Sequence, residues 1–294
     1  MKRSIILVMA LAITAGLFFG CGGNDNKAED DASTEESRIT VVSREDGSGT
    51  RGAFIELAGI IKEGSDGSKK DLTTKEAIIA NKTDVMLTNI ASDPNAVGYV
   101  SLGSLNDSVK ALAIDGVECT FENVKNEEYK ISRPFNIATK GDASGLAKDF
   151  IDFIMSKEGQ EVIKDGYIPV NDDAATFAGE KPTGKIVVAG SSSVTPIMEK
   201  LKEAYIKQNP NAEIEIQMSD STAGVTAAMT GTCDIGMASR ELKETELSEL
   251  KGITIAMDGI AVIVNPENKL EGLTLDQVAN IFKGEVTTWE SLDE

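Results

Sequence analysis

The 294-residue sequence contains no histidine. No Ser-His-Asp or Cys-His catalytic arrangement can be assembled from it, nor any histidine-containing metal site. Three cysteines fall short of a four-thiolate zinc site. Basic residues are scarce, with 29 Lys+Arg against 48 Asp+Glu and a formal net charge of −19. A nucleic-acid binder needs a basic face for phosphates, so that class is set aside. Otherwise the composition is that of an ordinary soluble protein, 41% hydrophobic and 26% charged.

Long apolar runs are also few. The one that stands out, Ile5 to Phe19 after Lys2 and Arg3, is shorter than the roughly 20 residues a spanning helix needs. A basic start, a short apolar core and Gly20-Cys21 describe a secretory signal over residues 1–20. Cys21 resembles the lipobox cysteine of bacterial lipoproteins, which is acylated and becomes the mature N-terminus, although Phe occupies a position where a smaller residue is usual. Residues 21–37 lack large apolar side chains and are expected to form a disordered tether. Loss of residues 1–20 removes Lys2 and Arg3, so the mature chain is more acidic still. Cys119 and Cys233 remain and read as buried free thiols.

About 250 to 260 residues are left, enough for two domains with their own cores. The run Ile39–Val42 is followed by Ser43-Arg44-Glu45-Asp46-Gly47-Ser48-Gly49-Thr50, and then Ala53, Phe54, Leu57 and Ile61 recur at helical spacing. A second strand–turn–helix unit begins at Lys185, turns through Ser191-Ser192-Ser193, and continues with Val194, Ile197, Leu201 and Tyr205 on one helix face. That stripe is core packing. Strand-like runs recur at Glu213–Met218, Ile253–Ala256, Ile260–Val264, Val97–Val100 and Val109–Ile114. Helical patterns cover Gly224–Thr230, Leu275–Phe282, and Leu146–Met155 running on through Glu158–Ile163. The alternation predicts an α/β architecture with mostly parallel sheets. Residues 171–183 read as a linker.

The turns carry the chemistry. A strand-to-helix turn leaves the first helical N–H groups unpaired at the positive end of the helix dipole. Glycine lets the backbone approach an anion, hydroxyls add donors, and Arg44 adds a guanidinium that Asp46 is near enough to orient. The pattern describes an oxyanion site without a metal. It is neither a Walker A loop nor a dinucleotide fingerprint. A third turn, Ser219-Asp220-Ser221-Thr222-Ala223-Gly224, opens another helix, and Ala238-Ser239-Arg240 ends a short strand. Ordinary helix caps are the bland reading of each turn taken singly. The negative net charge does not exclude anion binding, because direct hydrogen bonds act over a few Å while surface charge is screened beyond about 8 Å.

These segments resemble the phosphate-binding lipoproteins of bacterial phosphate-specific ABC transporters. The resemblance rests on GSSSVTPIMEKL (190–201), SDSTAGVTAAMTGTCDIGMASRELK (219–243), LTLDQVANIFKGEVTTW (273–289), SREDGSGTRGAF (43–54), NAVGYVSLGSL (95–105), and SRPFNIATKG through SKEGQEVIKDGYIPV (132–170). It implies a two-lobed α/β fold of the type II periplasmic-binding-protein kind, closing on one phosphate in the cleft between its lobes. The order of the halves is reversed relative to the family, which looks like a circular permutation; a truncated frame from a tandem gene would give the same order. The resemblance implies a split lobe (38–132 plus 259–294) and a continuous lobe (133–258, including linker 171–183). Arg44, Ser48, Gly49 and Thr50 would donate to phosphate from the first, and Ser192, Ser193, Ser221 and Ser239 from the second. Some family members place an aspartate where Ser239 stands, to accept the proton of hydrogen phosphate.

The expectation is therefore a monomeric, non-enzymatic receptor, held to the outer face of the cell membrane through lipidated Cys21. It would deliver phosphate to permease subunits without a cofactor or metal. Three other readings compete: a receptor for another tetrahedral oxyanion such as sulfate, a phosphate-ester hydrolase using Ser48 or Ser193 as nucleophile, and a surface sensor or adhesin that keeps the fold.

Overall fold

The computed structural model describes residues 38–64 and 69–292; the expected signal peptide (1–20), Cys21 and the tether (21–37) lie outside the described residues. The β-branched run from Ile39 to Val42 leads the strand β1 (Thr40–Arg44), and the Gly/Ser turn leads into α1 (Gly49–Leu57). An antiparallel pair, β2 (Ile61–Glu63) and β3 (Lys69–Asp71), precedes β4 (Ile78–Ala80), α2 (Thr83–Ser92) and β5 (Ala96–Ser101). Short pieces β6 (Lys110–Ala111), β7 (Ala113–Ile114) and α3 (Phe121–Lys125) lead to β8 (Ser132–Thr139), α4 (Gly145–Met155), α5 (Lys157–Lys164) and β9 (Ile168–Pro169). The next stretch holds β10 (Gly184–Ser191), α6 (Thr195–Gln208), β11 (Ala212–Ser219), α7 (Ser221–Thr230) and β12 (Ile235–Ala238). Last come α8 (Glu244–Leu247), β13 (Lys251–Val264), β14 (Gly272–Leu273) and α9 (Leu275–Lys283).

The main sheet runs β11-β10-β12-β8-β13-β5-β1-β4, with β6 and β9 also on β13. Pairing is parallel toward both ends, where β10 lies beside β11 and β12, and β1 beside β4 and β5. In the middle, β8 and β13 meet their neighbours antiparallel. The sheet is therefore mixed and not mostly parallel as expected, because helical crossovers impose a common direction only on the strands they connect. Buried apolar side chains form one large cluster from residues 39–131 and 260–282, joined by Ile168. Two further clusters draw only on residues between Phe135 and Ala256. The change from one core to the other falls on β8 and β13, between Ile131 and Phe135 and between Ala256 and Ile260.

Several elements differ from expectation for local reasons. Gly59, at φ 67°, ends α1 before Ile61, which belongs to β2. The long helix expected over 146–163 is two helices, because the Ser156 hydroxyl caps α5 by accepting the Gly159 N–H at 3.3 Å and donates to the Phe153 carbonyl at 2.7 Å. Val109–Ile114 divides into β6 and β7, which pair with different strands. Conversely, the two strands expected at 253–256 and 260–264 are one strand, β13, with a register shift between Thr254 and Ala256. Met257-Asp258-Gly259 resembles a turn in sequence, yet Asp258 pairs with Arg133 on β8, and Gly259 has no room for a side chain against Cys119 and Val124.

Residues 171–183 form no helix or strand but are tied down. The Ala175 carbonyl accepts the Lys157 N–H at 2.8 Å, and the Glu158 carboxylate accepts the Phe177 N–H at 2.8 Å. The Phe177 ring stands edge-on to Phe153 at 5.3 Å. Cys119 and Cys233 are buried free thiols. Among the described residues no helix is long and apolar enough to cross a membrane.

Candidate functional site

Four strands end on the same region. β1 ends at Arg44, and Ser48 caps α1, its hydroxyl accepting the Arg51 N–H at 3.3 Å. β10 ends at Ser191, and Ser192 and Ser193 lie in the turn before α6. β11 ends at Ser219, and Asp220 caps α7 through the Ala223 N–H at 2.8 Å. Ser239 follows β12 directly. Each of these ends is the carboxyl end of a strand that pairs in parallel, where α/β sheets form ligand crevices. Three of them feed helix N-termini, whose dipoles favour negative charge.

All eight ligand-binding candidates are buried. Ser221 and Ser239 are only 0% and 1% exposed, and Arg44 only 3%. They meet across the divide between the two apolar cores. Arg44 Nη2 donates to Ser192 Oγ at 3.0 Å, and Thr50 Oγ1 lies 2.9 Å from Ser193 Oγ. Ser191 Oγ donates to Ser239 Oγ at 2.9 Å, while Ser221 Oγ lies 3.3 Å from Ser239 Oγ and accepts the Ser239 N–H at 3.1 Å. Gly49 packs so closely that a methyl group there would overlap Ser221 Oγ and come within 2.9 Å of Ser239 Oγ. Ser48 is buried with them but has its hydroxyl engaged in its own cap.

The orientation of Arg44 departs from expectation. Asp46 is 96% exposed at its side chain and pairs with Arg51 at 2.8 Å, so it does not orient Arg44. Glu45 does so, with Oε1 and Oε2 accepting from Arg44 Nη2 and Nε at 2.7 and 2.8 Å. The Ala80 carbonyl accepts from Nε at 3.2 Å. The Tyr99 hydroxyl accepts the Arg44 backbone N–H at 3.0 Å and lies 2.9 Å from Ser43 Oγ. Burial pushes the Tyr99 phenol above its ordinary range, which keeps it neutral.

Three further groups escaped the sequence reading. Ser191 belongs to the same serine run as Ser192 and Ser193, but strand alternation gave no reason to single it out. Thr83 starts α2, and its Oγ1 lies 3.3 Å from Ser192 Oγ; no pattern marks it in sequence. Arg133 and Asp258 form a buried ion pair at 3.1 Å, and Arg133 Nη1 donates to the Ser239 carbonyl at 2.8 Å. Beside the cluster opens a cavity of about 300 Å³ lined by Lys82, Thr83, Ser104, Ser192 and Thr195 among others. Among the described residues no group of three or more Cys, Asp or Glu is placed to hold a metal ion. The arrangement can present hydroxyls, backbone N–H groups and one guanidinium to a small anion.

Comparison with known proteins agrees in kind. A model of the PBP superfamily domain matches residues 25–158 and 175–293. The phosphate-binding protein PstS 2 of Streptococcus agalactiae serotype V is 51% identical over 296 residues, covering 100% of this chain and 99% of its own. PstS 2 of Streptococcus pneumoniae serotype 4 is 43% identical, covering 99% of both chains. The crystal structure of a phosphate-binding protein of a phosphate ABC transporter from Streptococcus pneumoniae TIGR4 is 46% identical, with TM-score 0.70, over 87% of this chain and 99% of that one.

Proposed function

The chain belongs to the PBP superfamily and, within it, to the phosphate-binding PstS proteins, and from that premise we propose that it captures inorganic phosphate and delivers it to the permease of an ABC transporter. One observation carries the reading: four strand ends far apart in sequence bring Arg44 and the hydroxyls of Thr50, Ser192, Ser193, Ser221 and Ser239 into one buried cluster. Arg44, Ser48, Gly49 and Thr50 donate from one side, and Ser192, Ser193, Ser221 and Ser239 from the other. Phosphate replaces the hydroxyl–hydroxyl contacts with charge-assisted ones, which are shorter and stronger. On this reading the protein binds and releases its ligand unchanged, without a cofactor.

The two halves act as lobes, one from 38–132 plus 259–294 and the other from 133–258. Their largely separate apolar cores support this division, Ile168 and the partly buried Met257 being side chains that cross it. On this reading the segment order is a circular permutation. The Ile39 N–H donates to the Thr287 carbonyl at 2.8 Å, and Arg38 bridges to Thr288, so the chain segments at either end of the fold lie side by side, as such a rearrangement requires. The same proposal places the protein outside the cytoplasm as a monomer, anchored to the membrane through lipidated Cys21 after removal of residues 1–20.

A second reading, a receptor that also takes sulfate, has one observation in its favour. Ser239 stands where an aspartate would receive a phosphate proton, Asp46 faces solvent, and Glu45 is occupied by Arg44. Calorimetric titration of residues 22–294, stripped of anion, with phosphate and then sulfate tests both. Micromolar or tighter binding of phosphate alone supports the first reading, and binding of both supports the second. Binding of neither by folded protein removes both.

A further inference from the structure

We propose that Arg133 is a positioning residue of the oxyanion site, and that the buried chain Ser101–Asp258–Arg133–Ser239 carries the alignment of the two shared strands into it. The inference rests on the anion-binding reading above. Arg133 on β8 and Asp258 on β13 are directly paired in the strand register. They sit in the polar gap between the two apolar cores, and their side chains are each only 1% exposed. Every contact they make leads to one half or the other. Asp258 Oδ1 accepts from Ser101 Oγ, at the end of β5, at 2.8 Å. Asp258 Oδ2 accepts from Arg133 Nε and Nη2 at 3.3 and 3.1 Å. The remaining arm, Nη1, holds the Ser239 carbonyl at 2.8 Å.

Ser239 is thereby fixed from two directions. Its carbonyl is held by Arg133, and its N–H and hydroxyl bond Ser221 and Ser191 within the candidate site. A shift of β8 against β13 moves the guanidinium, and with it Ser239, the residue that follows β12. A lysine cannot reproduce this, because the planar guanidinium spends separate edges on carboxylate and carbonyl. The position is also electrically loaded. Arg133 is close enough to Arg44 for the two charges to repel, and burial pushes the Asp258 carboxyl up while Arg133 holds it down. Buried ion pairs seldom justify themselves by stability, since a well-packed apolar pair is often as good. The pair is therefore weak evidence for stability, and its hold on the Ser239 carbonyl is what ties it to the site.

The test compares wild type, Arg133→Lys and the double variant Arg133→Met/Asp258→Leu, all as residues 22–294. Phosphate affinity is measured at a temperature where each is fully folded by circular dichroism. The double variant removes both charges together and so keeps the fold accessible; Arg133→Lys keeps the charge and serves if it does not fold. We expect phosphate affinity to fall by about 2- to 30-fold in each variant, the range for residues that act through a network. In ligand-free protein, amide hydrogen exchange over 235–241 should rise in the same variants while exchange in α6 is unchanged. An affinity within twofold of wild type in folded variants overturns the proposal, whatever happens to the melting temperature. Faster exchange throughout the protein overturns it too, because that is the mark of a purely structural pair. Failure of wild type to bind any anion is a different result: it removes the site assignment, while the exchange measurement still decides whether Arg133 orders Ser239.

Discussion

Substituting Gly49 by alanine separates the local stability of the fold from the contact between its halves. Gly49 is the first residue of α1, and its φ lies outside the left-handed region, so alanine suits the backbone. Within the helix alone the change should stabilise by about 0.4 to 1 kcal/mol, through helix propensity and a less flexible unfolded chain. Across the site the effect is opposite. The new methyl overlaps Ser221 Oγ and lies 3.0 Å from Ser221 Cβ and 2.9 Å from Ser239 Oγ. Ser221 Oγ cannot turn away freely, because it accepts the Ser239 N–H. Overpacking of this kind costs about 1 to 3 kcal/mol, and at 1.4 kcal/mol per factor of ten phosphate affinity should fall by about 5- to 150-fold. Titration calorimetry and a thermal melt of the ligand-free protein measure the two effects. With the halves parted in the ligand-free protein, as the lobe reading requires, the overlap arises only on closure, and the expected pair is a melting temperature at or slightly above wild type and a clearly weaker phosphate isotherm. Unchanged affinity would refute the close approach of the two halves around Gly49, and with it the shared site.

Arg44→Ala should weaken phosphate binding by about 100-fold or more, because it removes charge-assisted hydrogen bonds and leaves Glu45 unpaired; Arg44→Lys should recover only part of that. Competition titration measures both, and near-wild-type affinity for the alanine variant would remove the turn after β1 from the site. Ser239→Asp places an acceptor between Ser191 and Ser221 and should raise the phosphate-to-sulfate affinity ratio by about tenfold or more; an unchanged ratio would put the proton acceptor elsewhere. Burial raises the Glu246 pKa, but hydrogen bonds from Arg240 and the Lys243 N–H outweigh it and hold the carboxyl below its ordinary range. Its stabilisation is therefore complete above the unfolded value of about 4.3 and disappears as pH falls through the lower folded value. The melting-temperature gap between wild type and Glu246→Gln should stay constant from about pH 7 to 5 and close below about pH 4. A gap that does not narrow on acidification would mean the Arg240 pair contributes nothing.

Both strand–turn–helix units were legible because local signals agree there. β-branched residues precede small polar turns, and the helices that follow carry clear apolar stripes, as at Ile197, Leu201 and Tyr205. The site candidates were legible for the same reason, since strand ends with Ser, Gly and Arg are the places where an α/β protein meets a small anion. What could not be read is whatever depends on contacts distant in sequence. Nothing near Asp258 says that Met257-Asp258-Gly259 continues a strand, because its partner Arg133 lies more than a hundred residues away. Asp46 was the better chemical guess for orienting Arg44, but the turn sends it outward and brings Glu45, its neighbour, against the guanidinium. Thr83 joins the cluster only because α2 starts beside the β10 turn.

The continuity of β13 bears on how the chain reaches its native state. Within the one sheet, residues 251–259 pair with β8, on the side of β12 and β10, while 260–264 pair with β5, on the side of β1. Neither half has all its strands until this late segment of the chain is in place. Scission within 171–183 would yield an earlier piece lacking β13 and a later piece lacking β8, each with a row of unsatisfied backbone groups where the missing strand belongs. The halves therefore have to be assembled together. Heat or denaturant should take them apart in one cooperative transition, and the two cut pieces should regain structure only when mixed.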